Sequence, residues 1–275
     1  MRRILPVLLL LALSSILLAV SPQPLQLLQP TATVPDGGQV EYGSVGPGQT
    51  FIVQIDPVVT DANGVLLNQW YQAQAVNLPA GWTSRPSMVF QKPLQVEITP
   101  APDALDGDYV VNLAVSQEAG HTELGGSETF SVLVHVKHDV LAMTVDPPSA
   151  EVGAGQPARF TITLTNTGSA NDVFDVSSSG VAGWSFQKNV YLSAGASKSI
   201  TYEVVGTDES DYHVTLSARS SSSSLIHQEQ PVALTVRTNL LSDYRATSRG
   251  VLLFPILQAP MYALSGIISL FFPGA

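Results

Sequence analysis

The sequence predicts an all-β protein: two tandem immunoglobulin-like β-sandwich domains, preceded by an N-terminal signal helix and followed by a C-terminal hydrophobic helix. Three observations point there. Apolar and polar residues alternate through the middle of the 275-residue chain, the period of a half-buried strand. A block of sequence returns after about one hundred residues. Each end is an apolar run, whereas the middle is acidic.

Composition narrows the function classes. The chain has 22 acidic and 12 basic side chains and a formal charge of −10. That is the wrong sign for a phosphate backbone, so no nucleic-acid partner is expected. It has no cysteine, which excludes disulfides, thiolate metal sites and a cysteine nucleophile.

The elements follow in chain order. Arg2 and Arg3 precede an apolar run that continues to Val20, the pattern of a secretory signal over residues 1–21, either cleaved or kept as an anchor. Residues 22–138 and 139–238 are the two sandwiches. In the first, Phe51/Val53/Ile55, Leu94/Val96/Ile98, Tyr109/Val111/Leu113/Val115 and Phe130/Val132/Val134/Val136 alternate with polar residues. In the second, Phe160/Ile162/Leu164, Ile200/Tyr202/Val204, Tyr212/Val214/Leu216 and Val232/Leu234/Val236 do the same. His138-Asp139 marks a short linker, which suggests a semi-rigid pair. Residues 239–250 are a polar linker. Residues 251–272 carry no charge; as a helix they reach about 33 Å, enough for a hydrocarbon core of ~30 Å. Pro255, Pro260 and Gln258 interrupt that run, and no basic residue follows it. The alternatives are a tail packed on a partner's membrane helices, a processed tail and a buried core segment.

The repeat is carried by Gly48-Gln49, Ala80-Gly81-Trp82 and Asp108-Tyr109 in the first copy. Gly155-Gln156, Ala182-Gly183-Trp184 and Asp211-Tyr212 answer them in the second. Trp82 and Trp184 are expected to cap the two cores after their glycine turns. Tyr109 and Tyr212 are expected to turn their hydroxyls onto nearby backbone, as at the corner of such sandwiches.

With Phe160, Ile162, Leu164, Asn166-Thr167-Gly168 and Tyr212 in place, this order resembles the α-galactosidase-associated immunoglobulin-like domain. That domain occurs in tandem in bacterial and archaeal surface membrane proteins and is related to the cell-adhesion-type bacterial domain. The resemblance spans roughly residues 40–237 and implies a surface location; it supplies no catalytic residues. The first copy departs from the pattern, having Asp56-Pro57 near the place of the Asn-Thr-Gly turn.

Candidate chemistry is sparse. There is no His-Glu-x-x-His, phosphate-binding glycine loop or Gly-x-Ser-x-Gly elbow. Trp70 and Tyr71 fall in a segment of the first copy without a counterpart in the second. They are candidates for stacking on a polysaccharide, the alternative being an additional core strand. Asp103, Asp106 and Asp108 offer hard oxygens for calcium, although aspartates equally cap turns. His135 and His138 read as surface residues. Residues 220–224, all serine, read as a flexible hairpin tip and an O-glycosylation candidate.

The expectation is a non-enzymatic protein without cofactor. It is exported and held at the cell membrane through its C-terminal helix, with its sandwiches outside the cytoplasm. They would serve as spacer, adhesion or protein-interaction modules. The alternatives are a carbohydrate-binding module of the envelope and an accessory subunit of a membrane transporter complex.

Overall fold

The computed structural model describes residues 24–60, 64–121 and 124–237. The expected signal (1–21), polar linker (239–250) and hydrophobic helix (251–272) lie outside the described residues. Among the described residues every element is a strand, and no helix is long and apolar enough to cross a membrane.

The described chain forms two compact units. The first takes the described residues up to Gly43 with Thr50–Thr99 and Asp108–His135; the second takes Ser44–Gln49, Pro100–Gly107 and the described residues from Val136 onward. Residues 44–49 and 100–107, which the repeat pattern places in the first copy, are thus folded into the second unit.

The first copy contributes β1 (Leu25–Gln29), β2 (Thr31–Val34), β3 (Gln39–Val45), β4 (Phe51–Ile55), β5 (Val58–Thr60), β6 (Leu66–Gln69), β7 (Gln72–Asn77), β8 (Thr83–Arg85), β9 (Leu94–Thr99), β10 (Gly107–Ser116) and β11 (Ser127–Val136). One sheet runs β2-β1-β4-β9-β8, a second β3-β11-β10-β7, and β5-β6 form a separate hairpin. The alternation read from sequence becomes alternation of burial. Phe51, Val53 and Ile55 of β4 pair with Ile98, Val96 and Leu94 of β9, and all six are buried. Val111, Leu113 and Val115 of β10 and Phe130, Val132 and Val134 of β11 are buried in the same way. Tyr42 of β3 meets Phe51 of β4 at 4.6 Å between ring centroids. Burial of each such side chain is worth about 1.5–3 kcal/mol.

The second copy contributes β12 (Leu141–Asp146), β13 (Ser149–Val152), β14 (Pro157–Asn166), β15 (Asp172–Ser179), β16 (Phe186–Leu192), β17 (Ser197–Val205), β18 (Asp211–Ser220) and β19 (His227–Val236). They form the sheets β12-β14-β17 and β13-β19-β18-β15-β16. Phe160, Ile162, Leu164, Tyr202 and Val204 of the first sheet share one apolar cluster with Phe174, Val176, Val214, Leu216 and Leu234 of the second. This is a two-layer β core of interdigitated inner faces.

Besides the additional strands of the first copy, the two copies differ in the pairing of one shared strand. The strand after the Gly-Trp turn is β8 in the first copy and pairs with β9. Its counterpart β16 pairs with β15, which belongs to the other layer. The three residues of β8 are all exposed, whereas β16 runs seven residues with Val190 and Leu192 buried.

Candidate functional site

The structure disperses the residues that the sequence singles out. Trp70 sits between β6 and β7 and is 1% exposed; its N–H donates to the Pro57 carbonyl at 2.8 Å. The ligand-binding expectation for Trp70 is therefore corrected, because a ring with both faces buried cannot stack on a sugar. Tyr71 is half-buried, and its ring meets that of Phe90 edge-on at 4.9 Å and 88°.

The calcium expectation is corrected as well. Asp106 accepts the His138 backbone N–H at 3.0 Å and also lies against His138 Nδ1. Asp108 Oδ1 is 2.6 Å from His135 Nδ1, and Glu41 Oε1 is 3.1 Å from His135 Nε2. Asp103 stays exposed on the preceding turn. Among the described residues no group of three or more His, Asp or Glu is arranged to hold a metal. Asp106 and Asp108 instead bond to histidines, and a protonated imidazole of His135 donates to two carboxylates. The hydrogen bond to Asp108 is the main cause that raises the His135 pKa above its ordinary value, with Glu41 adding to it.

Both glycine turns form as the sequence suggests. Gly81 and Gly183 have φ of 79° and 73°, and the next N–H returns to Pro79 and Val181 respectively. Trp82 is buried against Phe51 and Tyr109. Trp184 is 39% exposed and donates its indole N–H to the Glu203 carbonyl at 2.8 Å. Its expected core-capping role is corrected: Phe186, packed on Tyr202 at 5.1 Å, occupies the aromatic position beside the core. The Tyr212 hydroxyl donates to the Asp208 carbonyl at 3.1 Å, a corner contact four residues back. Tyr109 packs on Trp82 at 5.2 Å.

Two features escaped sequence reading. The first is a buried carboxylate in the second unit. Asp172 accepts hydrogen bonds from Gln49 Nε2 (2.7 Å), Ser220 Oγ (2.6 Å), Ser222 Oγ (2.8 Å) and the Val173 N–H (2.7 Å). Ser223 Oγ donates to the Pro102 carbonyl at 2.7 Å. The serine run is thus no flexible tip, since Ser220 and Ser223 are buried. Gly48 (φ 68°) passes so close that a Cβ there would lie 2.3 Å from the Ser222 carbonyl oxygen, which only glycine permits.

The second feature is an apolar surface on the first unit. Residues 88–90 form a turn that projects Met88 (71% exposed), Val89 and Phe90. Its base is fixed: buried Ser87 donates its N–H to the Ala73 carbonyl and accepts the Ala73 N–H on Oγ, each at 2.9 Å. The Ser87 carbonyl accepts Gln72 Nε2 at 3.0 Å. Phe90 donates its N–H to the Tyr71 carbonyl at 2.8 Å. Tyr71 lies just past β6, whose hairpin exposes Val65, Leu66 (64%) and Leu67. Single exposed leucines need no explanation, whereas three consecutive exposed apolar side chains on one pinned turn mark a contact surface.

No protein-family model matches the chain, and no curated protein matches it. Among solved structures, a β-glucosidase from Listeria innocua in complex with glucose is 17% identical over 34% of this chain, with a TM-score of 0.26. The match covers 16% of that enzyme, so this chain spans only a small part of it. The PapD-like domain 7 of human CEP192 is 10% identical over 38% of this chain and 88% of that one, with a TM-score of 0.28. The titin domains z1z2 in complex with telethonin are 15% identical over 79% of this chain and 98% of that one, with a TM-score of 0.26. At these scores the likenesses assign neither activity nor partner.

Proposed function

We propose that this is a non-catalytic, exported surface protein, membrane-anchored through residues 251–272, whose tandem immunoglobulin-like sandwiches act as a spacer and adhesion or interaction module. The supporting observation is the apolar surface on the first unit, made by the exposed Met88-Val89-Phe90 turn packed on Tyr71. It is an open contact surface built on fixed backbone. Asp172, by contrast, is a buried carboxylate whose four donors all come from the fold. Such a group holds loops together and does not offer itself to a substrate.

Fractionation of cells expressing the full chain and a chain lacking residues 251–275 tests the anchor. After a high-salt wash, which releases electrostatically bound protein, the full chain is expected in the membrane fraction and the shortened chain in the soluble fraction. Salt-resistant retention of the shortened chain on the membrane overturns the assignment of the tail.

A further inference from the structure

The apolar surface on the first unit has a distinctive charge setting. Between Asp61 and Glu97 the sequence has no acidic residue but holds Arg85 and Lys92, in a chain whose acids outnumber its bases 22 to 12. Those two cations bracket the projecting turn, three residues before Met88 and two after Phe90. Both are exposed. Among the described residues Arg85 meets Glu97 at 3.9 Å in an exposed pair, which is weak.

The turn is also held out at a conformational cost. Phe90 adopts φ 54°, a region that bulky residues seldom enter. Ser87, Gln72 and Tyr71 pin the turn on both sides. Gln91 closes it by accepting the Met88 N–H on Oε1 at 3.1 Å and returning its own N–H to the Met88 carbonyl. The apolar side chains are therefore presented to solvent by fixed backbone. Strain of this kind persists where the surrounding structure enforces it, commonly at contact sites.

We propose that this surface docks on an anionic lipid bilayer. Met88, Val89 and Phe90 enter the boundary between headgroups and acyl chains. Arg85 and Lys92, set back from the tip in sequence, meet lipid phosphates. Apolar side chains ahead of cations is the order in which a bilayer interface presents its own chemistry. The inference deepens the adhesion reading by naming its partner, and it does not depend on the tail.

The chain's lack of cysteine allows a direct test. A single thiol introduced in the full-length chain by Val89→Cys carries a nitrobenzoxadiazole label, and a second protein carries it through Glu229→Cys on an exposed site of the second unit. Each is mixed with vesicles of phosphatidylcholine containing about 30% phosphatidylglycerol, with and without nitroxide-labelled lipid. The label at 89 is expected to brighten several-fold and be quenched by the nitroxide, and the label at 229 to do neither. Arg85→Gln with Lys92→Gln should demand at least roughly tenfold more anionic lipid for the same signal. Three results overturn the proposal: an unquenched label at 89, equal quenching at both sites, or brightening at 89 on raising protein concentration without lipid, which would make a second copy the occupant. Flotation of the full chain with an unquenched label at 89 would leave the anchored reading standing and remove only this one.

Discussion

Glu128 offers a sharp test of the first unit's interior. It lies on β11 at the parity of Phe130, Val132 and Val134 and is 1% exposed. Neither carboxyl oxygen has a hydrogen-bond partner among the described residues. Burial, and secondarily the charge of Asp36, pushes its pKa from 4.5 up to about 7. Asp36 itself is bound at that edge by the Thr129 N–H at 2.8 Å. Between those two values the folded chain binds more protons at Glu128 than the unfolded chain. The stability tied to the neutral acid is therefore complete below the unfolded value and is lost as pH rises to about 7. From pH 5.5 to 8.5 roughly 1.5 pH units of that window are crossed, worth about 2 kcal/mol. Glu128→Gln keeps the shape and removes the titration. Trp70 and Trp82 belong to the first unit and Trp184 to the second, so in a Trp184→Phe background tryptophan fluorescence reports the first unit alone. In urea titrations, the stability advantage of the Glu128→Gln variant over its parent should grow by about 2 kcal/mol across that range. A constant difference between the two proteins across the range would refute the reasoning.

Three further outcomes are expected. Asp172→Ala strands the donors of Gln49, Ser220 and Ser222; it should cost about 3 kcal/mol or more and lower the melting temperature of the second unit, read by calorimetry. Trp70→Ala empties a fully buried site, so about 3–5 kcal/mol should be lost from the first unit in urea titrations, independently of any glycan. His135→Gln removes the imidazole held by Asp108 and Glu41. Because that pairing raises the His135 pKa, its contribution is present at low pH and lost as pH rises through the folded value. The variant should therefore be less stable than the parent at pH 5.5 and converge with it at pH 9, the exposed pair contributing less than ~1 kcal/mol.

The strands were legible where local pattern and final burial obey the same rule. Phe51, Val96, Leu113 and Phe160 are at core parity in sequence and are buried in the fold. Pairing of edge strands was not legible. Thr83–Arg85 and Phe186–Leu192 follow the same Gly-Trp turn, yet join opposite layers. Such a choice depends on which neighbour is left unpaired, a property of the assembled sheets. The fates of Trp82 and Trp184 diverge with it. The apolar turn was hidden for a different reason: Met88, Val89 and Phe90 are consecutive, so they match neither strand nor helix period, and only the backbone bonds of Ser87 and Gln91 show that they are held outward.

Acidic residues at core parity carry a signal that sequence reading can use and only structure can resolve. Asp172 precedes Phe174 and Val176 on β15 just as Glu128 precedes Phe130 and Val132 on β11. Each is a carboxyl group placed where an apolar side chain is due, and each is buried. Burial of a charge demands either donors or a proton. Asp172 receives donors from residues 49, 220 and 222, far away in sequence and brought together by the fold. Glu128 has no such donors among the described residues, and a raised pKa is the remaining way to avoid a bare buried charge. One pattern thus yields a hydrogen-bonded fastening in the second unit and a pH-sensitive weak point in the first. Glu128→Gln and Asp172→Asn should accordingly differ in sign at pH 8.5: the first stabilises by removing an unpaired charge, and the second destabilises by setting an amide N–H₂ against hydroxyl and amide donors. Urea titrations in which both substitutions shift stability in the same direction would show that the surrounding donors do not control the outcome.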